Sequence, residues 1–365
     1  MTSGRDQTTK LIYKLSENHR LDLEEYVRLV SSVLPEHVEL ASSLAVQARD
    51  KSYGDKVFLR GLIEFTNYCK NNCLYCGIRS GNKEAQRYRL NEQEVLGCCS
   101  KGYGLGFRSF VLQGGEDVEY TPDRIARLVE LIKKEYPDCA LTLSVGEHSY
   151  AAYKDWFDAG ADRYLLRHET ADSVHYESLH PASMSYGNRM HCLHDLKAIG
   201  YQVGCGFMVG SPGQRPEHIA KDLLFMQEFK PHMVGIGPFI PHKNTPFATF
   251  PAGTLEQTLF LLSVVRLMLP DVLLPATTAL GTICSDGRNL GILSGANVCM
   301  PNLSPFAVRQ KYELYDNKVF AGDEAAESVA RLVEQIEDLG CHAQMSRGDH
   351  VSIDLQKNTK EEFYV

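Results

Sequence analysis

VFLRGLIEF (57–65) runs directly into TNYCKNNCLYC (66–76), and this stretch decides both the fold and the place of its chemistry. The first run is almost continuously apolar and rich in β-branched and aromatic residues, as a strand buried on both faces of a parallel sheet is. Working outward, seven further apolar runs follow, each trailed by enough chain for a helix: SFVLQ (109–113), ALTLSV (140–145), RYLLR (163–167), QVGCGFMV (202–209), HMVGIGPFI (232–240), DVLLPATT (271–278) and ANVCMP (296–301). Eight strand–helix units predict an α/β fold, a closed (β/α)8 barrel of the TIM type, with an open doubly wound sheet as second choice. Between the runs, Ile125, Leu128, Val129 and Ile132 recur at helical spacing behind a Thr121–Pro122 start. Asn91 with Glu94, and Thr254 with Gln257, have the spacing of a capping box.

The flanks are read more coarsely. Residues 21–52 carry helical periodicity, so 1–54 is expected to be a helical segment before a barrel over 55–315. A helix over 324–339 and a polar tail then fill 316–365 and pack on the barrel. Net charge is −8 and 23% of the 365 residues are charged, which disfavours a nucleic-acid backbone as partner. There is no window approaching a membrane span and no secretory signal in the polar start MTSGRDQTTK, so the chain is expected in the cytoplasm, away from membranes.

Of eleven cysteines, eight are scattered, at 98, 99, 139, 192, 205, 284, 299 and 341, and are expected to be thiols buried as small hydrophobes. The other three, Cys69, Cys73 and Cys76, stand at spacings of three and two intervening residues just after the first strand. Three thiolates can wrap one corner of a 4Fe–4S cubane and leave its fourth iron without a protein ligand. S-adenosylmethionine (SAM) can chelate that iron through its amino and carboxylate groups, and one electron then releases a 5′-deoxyadenosyl radical. A structural zinc site wants four ligands, in paired C-x2-C arrangements, and only one such pair exists here. The spacing, with Tyr75 just before the third cysteine, is similar to the radical-SAM signature.

Other candidates sit where strands end. Gly114, Gly115 and Glu116 follow the second run; glycines there permit close backbone approach, and Glu116 can anchor an ammonium. Read alone this is a βα turn; beside the cysteines it resembles the "GGE" motif that holds the methionyl amino group. Arg167-His168-Glu169-Thr170 carries polar groups into the barrel mouth after the fourth run. On spacing alone Arg189 is equally an exposed helix arginine or a bidentate carboxylate partner. Gly235-Ile236-Gly237-Pro238 offers adenine a flat backbone and, through Ile236, an apolar contact. Thr277 and Thr278 end the seventh run with two hydroxyls. Neither Gly102-x-Gly104-x-Gly106 nor the glycines of 204–213 fit a dinucleotide fingerprint.

Across 57–315 the chain resembles the HydE family of radical-SAM maturases of FeFe-hydrogenase, in IEFTNYCKNNCLYCGIR, YLLRHETAD, MVGIGPFIPHKNTP, PATTALGT and SGANVCMPN. Methylornithine synthase and biotin synthase are more distant relatives. The resemblance implies a complete barrel with an internal cavity, and a role in assembling the di-iron subcluster from a small organometallic or amino-acid-derived substrate. It also implies an electron donor such as ferredoxin or flavodoxin, and other hydrogenase maturases as partners. It assigns Ser144, Glu169 and Arg189 to SAM, Arg167, Thr277 and Thr278 to an anionic substrate, and Tyr312 to the cavity wall. Some members carry three further cysteines after the last barrel strand and bind a second cluster. Here YELYDNKVFAGDEAAES (312–328) has none, which predicts one cluster only.

Overall fold

In the computed structural model, which describes residues 2–318 and 325–353, the apolar runs become short parallel strands: β1 (Lys56–Leu59), β2 (Gly61–Thr66), β3 (Ser109–Gly114), β4 (Ala140–Ser144), β5 (Arg163–Leu165), β6 (Gln202–Cys205), β7 (Met208–Val209), β8 (Met233–Val234), β9 (Gly237–Pro238), β10 (Val298–Cys299) and β11 (His342–Gln344). β2, β3, β4, β5, β6 and β8 pair in that order in one sheet. Single parallel bridges carry the circuit on, from Met233 to Leu273, from Pro275 to Val298, and from Asn302 back to Leu62. Each of the eight segments therefore pairs with the next, and the ring closes as a barrel. Its strands are buried on both faces because side chains fill the inside and helices cover the outside.

Several runs break where function or packing demands it. The 57–65 run divides at Arg60, whose buried side chain turns below the ring to Met233 Sδ (3.0 Å) and the Gly348 carbonyl (3.3 Å). The 202–209 run divides at Gly206, at φ +149°, where a Cβ would run into the Gly235 backbone. Beyond that break β7 and β9 form a separate pair near the mouth. The 271–278 run makes only bridges at 273 and 275. Its last two residues are the N-cap and first turn of a helix, Thr278–Ile283, rather than strand.

The helices follow their sequence signals. Asn91 and Glu94 form the full capping box, Thr121 caps the helix Pro122–Glu135, and Thr254 accepts the Gln257 N–H at 3.2 Å. The four periodic residues of Pro122–Glu135 are all buried. Helix Leu255–Met268 is apolar all round because it is covered twice, by the barrel and by helix Pro35–Tyr53. Within the expected helical segment 1–54, residues 2–18 form a first helix, Thr2–Asn18, that begins in the polar start and buries Leu11, Ile12 and Leu15. The expected final helix is present as Ala325–Asp338, and the tail beyond 353 lies outside the described residues.

The strand N-termini are sealed from below by residues 342–353. β11 pairs with β1, and Arg163, fully buried inside the ring, donates to Asp349 Oδ1 (2.6 Å) and to the Arg347 carbonyl (2.6 Å). Gln202 Nε2 reaches Asp349 Oδ1 (2.9 Å), and Arg347 pairs with Asp162 at 2.7 Å. With the floor closed among the described residues, the barrel interior faces the strand C-termini.

Candidate active site

The first βα loop crosses that open end and is held by its own basic residue. Arg87 donates to the carbonyls of Asn67, Ile78 (2.8 Å), Arg79 (2.7 Å) and Asn82 (3.2 Å), clamping the two ends of the cysteine segment together. Cys69, Cys73 and Cys76 are half-buried along it and line one cavity of about 360 Å³. Burial pushes all three thiols up, Cys76 to about 12, and the charges of Cys69 and Cys76 push Cys73 up further. Three thiols so placed become thiolates only against concentrated positive charge, which is what an iron–sulfur cluster provides. No three His, Cys, Asp or Glu side chains among the described residues converge on a point that would hold a single ion. The eight scattered cysteines are buried, apart from half-buried Cys284.

Chain 179–184, following β5, the fourth ring segment, braces the loop. Leu74 donates to the Leu179 carbonyl (3.0 Å), and Met184 Sδ lies 3.6 Å from Cys73 Sγ. Tyr75 meets His180 Nε2 at 3.2 Å. Burial and then the Arg189 charge push His180 down to about 4, so its imidazole is neutral. Its Nδ1 faces the Tyr176 carbonyl (2.9 Å) and carries the proton, which leaves Nε2 to accept from the Tyr75 hydroxyl.

The second strand's glycines make room for the loop. A Cβ on Gly115 would strike the Tyr68 carbonyl and come within 2.7 Å of Cys69 Cβ. Glu116 points across to Gly146, taking the Glu147 N–H (3.0 Å) and pairing with Lys70 at 3.2 Å. Ser144 ends β4 on the same wall. Arg189 is buried rather than exposed, with Nε on Glu147 Oε1 (2.6 Å) and Nη1 on the Arg167 carbonyl (2.5 Å).

Alternation sorts the 167–169 segment. Arg167 and Glu169 face the cavity, whereas His168 faces outward, accepting the Gly206 N–H (3.2 Å) and meeting buried Asp222 at 3.3 Å. Glu169 sits at φ +66°, a conformation that costs a non-glycine residue and recurs at binding sites. Arg167 and Glu169 approach to 3.0 Å, yet too obliquely for a hydrogen bond. Arg167 Nε and Nη2, Glu169 Oε2 and Thr277 Oγ1 are all buried without a hydrogen-bond partner. Groups of this kind are costly unless a ligand satisfies them. Thr277, Thr278 and Tyr312 line the same cavity, as do Gly235, Gly237 and Pro238. Ile236, expected to touch adenine, lies behind that wall with its side chain in the core.

The opposite wall holds a polar cluster that sequence reading passed over. Glu64, on β2, takes Lys318 Nζ at 2.5 Å and Asn302 Nδ2 at 2.7 Å; Lys318 also donates to the Tyr312 carbonyl (3.0 Å). Gln113 Nε2 reaches the Tyr312 hydroxyl at 3.4 Å. One signal was available, since a carboxylate inside the run LIEF of a doubly buried strand must find a partner in the barrel interior.

A closed parallel barrel whose first βα loop presents three thiols to a polar cavity defines a recognisable class, and the chain belongs to the radical SAM superfamily, whose description matches residues 63–226. Within it, the chain is 45% identical over 302 residues to the [FeFe] hydrogenase maturase subunit HydE of Thermotoga maritima, covering 83% of this chain and 86% of that one. It is 32% identical to 3-methylornithine synthase of Methanosarcina barkeri, over 90% and 93% of the two chains. The crystal structure of methylornithine synthase superposes with a TM-score of 0.81 at 31% identity, covering 92% of this chain and 97% of that one. The protein is thus an enzyme of the radical SAM type with HydE as a relative. Among the described residues no helix is long and apolar enough to cross a membrane.

Proposed function

We propose that this protein is a HydE-type maturase: it cleaves SAM reductively and acts in building the di-iron subcluster of FeFe-hydrogenase, in the cytoplasm and without oxygen. The observation that carries the reading is the convergence, in one cavity, of three clamped thiols with the unpartnered polar atoms of Arg167, Glu169 and Thr277. When a 4Fe–4S cluster and SAM are bound, they supply a one-electron C–S cleavage that yields a 5′-deoxyadenosyl radical.

The chain's own residues do the rest. Cys69, Cys73 and Cys76 hold the cluster, and Arg87 fixes their spacing. Glu116 takes the methionyl ammonium, Arg189 the carboxylate, and Ser144, Glu169 and the Gly235–Pro238 backbone the remainder of the cofactor. Arg167, Thr277 and Thr278 orient a small anionic substrate, organometallic or derived from an amino acid, with Tyr312 as the facing wall. Leu62, Leu165, Met208, Phe239 and Met300 keep water from the space between. One cluster per chain is expected, since no further cysteine triad follows the barrel; clearly more than about four irons per chain would overturn that.

The test is anaerobic. The reconstituted protein with dithionite and SAM should yield 5′-deoxyadenosine, and Cys73→Ala should not. No product from a protein with an intact cluster that binds SAM would point instead to a cluster carrier. The likeness to 3-methylornithine synthase supports a second reading, a radical mutase or sulfur-insertion enzyme. Arg167→Ala separates the two: it should abolish hydrogenase maturation and leave basal SAM cleavage largely intact. Maturation that survives would refute the substrate assignment.

A further inference from the structure

The turn that follows β4 touches two separate binding residues at once, and sequence reading singled out neither of the positions that make it. Gly146 sits at φ +87°, where a Cβ would come within 2.1 Å of Glu116 Cγ, so a glycine is what lets the Glu116 side chain lie across the turn. The Gly146 carbonyl accepts from two tyrosine hydroxyls, of Tyr164 (2.8 Å) and Tyr153 (3.2 Å). The Tyr153 hydroxyl accepts in turn the His148 N–H (2.9 Å), and both tyrosines are fully buried. The peptide between Gly146 and Glu147 is therefore held in place, with its N–H on Glu116 Oε1 (3.0 Å).

The Glu147 side chain reaches a different element. Its Oε1 takes Arg189 Nε at 2.6 Å and its Oε2 takes Asn188 Nδ2, so helix Tyr186–Ile199 is gripped at two consecutive residues. Arg189 Nη1 donates to the Arg167 carbonyl just past β5. With Nε and Nη1 tied to two different elements, the plane and depth of the guanidinium are set, and Nη2 donates to neither anchor. Arg189 lines the cavity and Glu147 stands behind it. The two side chains keep only 7% and 11% of their exposure, so water gives the guanidinium little alternative if its carboxylate is removed.

We infer that Glu147 is a positioning residue for SAM, tying the anchor of the methionyl ammonium to the anchor of its carboxylate. It rests on the reading that Glu116 and Arg189 hold those two groups. Ammonium and carboxylate share one carbon of the methionyl group, so their anchors must be placed together, and an error of about 1 Å between them is enough to misdirect a reacting centre. Glu147 sets that separation from one residue, through its backbone N–H on Glu116 and its carboxylate on Arg189, and touches no cofactor atom itself.

A double-mutant cycle on SAM binding is the test. The Kd is measured anaerobically on the reconstituted protein without reductant, so that nothing is cleaved, for Arg189→Ala, Glu147→Ala and the two together. Glu147→Ala keeps the backbone N–H on Glu116, so its effect must run through Arg189. Arg189→Ala should raise the Kd about 30-fold or more and Glu147→Ala about tenfold. The double variant should stay within about threefold of Arg189→Ala, because no guanidinium is left to position. Glu147→Gln, which keeps an oxygen for Nε, should regain most of the affinity, and Glu177→Ala, exposed on helix Ser173–Leu179, is the control. Thermal melting shows that each variant folds; if Glu147→Ala does not, Glu147→Asp, one methylene short of Nε, replaces it in the cycle. Losses that multiply in the double variant, or a Glu147→Ala that binds SAM as Glu177→Ala does, overturn the positioning role. An Arg189→Ala that binds SAM as the wild type does overturns the reading of the site beneath it.

Discussion

Gly115→Ala asks whether the cysteine loop must cross the second strand's turn as closely as it does. The added Cβ would stand 2.7 Å from Cys69 Cβ, with the Tyr68 carbonyl closer still. Ordinary contact begins near 3.4 Å, so the loop must retreat by about 0.7 Å or more, and the atoms that retreat belong to the backbone bearing a thiol. Overpacking of this size costs about 1–3 kcal/mol, which a chain of this length survives; a displaced thiolate is a different matter, since cluster bonds fix sulfur positions. Two comparators separate strain from site damage. Gly114→Ala meets Thr66 Cγ2 at 2.8 Å, a strand methyl rather than the cysteine loop, and Gly97→Ala, exposed on a helix, meets nothing within 4 Å and should stabilise by about 0.5–1 kcal/mol. The assay is thermal melting of the apoprotein, then iron content and the EPR signal of the reduced cluster after anaerobic reconstitution. Gly115→Ala should fold and hold well under half the wild-type iron, while Gly114→Ala loads nearly normally. If Gly115→Ala loads iron as Gly97→Ala does, the close approach has no part in building the site.

Three further predictions follow from buried polar groups. Thr277→Val removes an unpartnered hydroxyl facing Gly237, so turnover of an anionic substrate should fall about 10–100-fold while SAM cleavage without substrate, read as 5′-deoxyadenosine, stays within about threefold. Glu64→Ala strands the buried Lys318 ammonium without its carboxylate and should cost about 3–5 kcal/mol in urea melts, most of which Glu64→Leu with Lys318→Met regains. Asp349 concerns acid stability. Burial raises its carboxyl, but Arg163, Arg347 and Gln202 outweigh it and hold the group well below the usual range. Its contribution is therefore full above the unfolded value of about 4 and is lost as the pH falls through the lower folded value. Asp349→Asn should be less stable at pH 7 and show a shallower loss between about pH 4 and 2 in pH-jump melts; parallel curves would refute the linkage.

The parts of this architecture that obey a local rule were legible from the residues alone. Continuous apolar runs announced the ring, and the caps at Asn91, Thr121 and Thr254 fixed where helices begin, because those signals act over a few residues. What escaped depends on partners far away in sequence. Nothing near Glu64 reveals Lys318 or Asn302, and nothing near Arg60 shows that its side chain turns below the ring and divides the strand. Helix was expected across 1–54, but that Leu11, Ile12 and Leu15 reach the core was not legible, because the mean polarity of 2–18 hides them. Within the candidate site, strand alternation puts Arg167 and Glu169 inside and His168 outside, and it puts Ile236 behind the wall that its glycine neighbours form. The burial of Arg189 could be learned only from the turn of the helix that carries it.

The floor has a bearing on how the molecule comes into being. Ring positions 60 and 163 meet their acceptors at 347–349 only after the chain has been made past residue 349, well after the last ring segment. During synthesis, then, two guanidinium groups and the underside of every strand wait in water, in an open tube that cannot yet exclude solvent. Long-range closure of this sort is slow and exposes unpaired edges meanwhile. A nascent chain that met iron at residues 69–76 in this interval would hold it with water reaching the thiols from below, so metal loading is best deferred until the tube is stoppered. Until the stopper at 347–349 is in place, the cavity lined by Cys69, Cys73 and Cys76 would stand open from below as well as above.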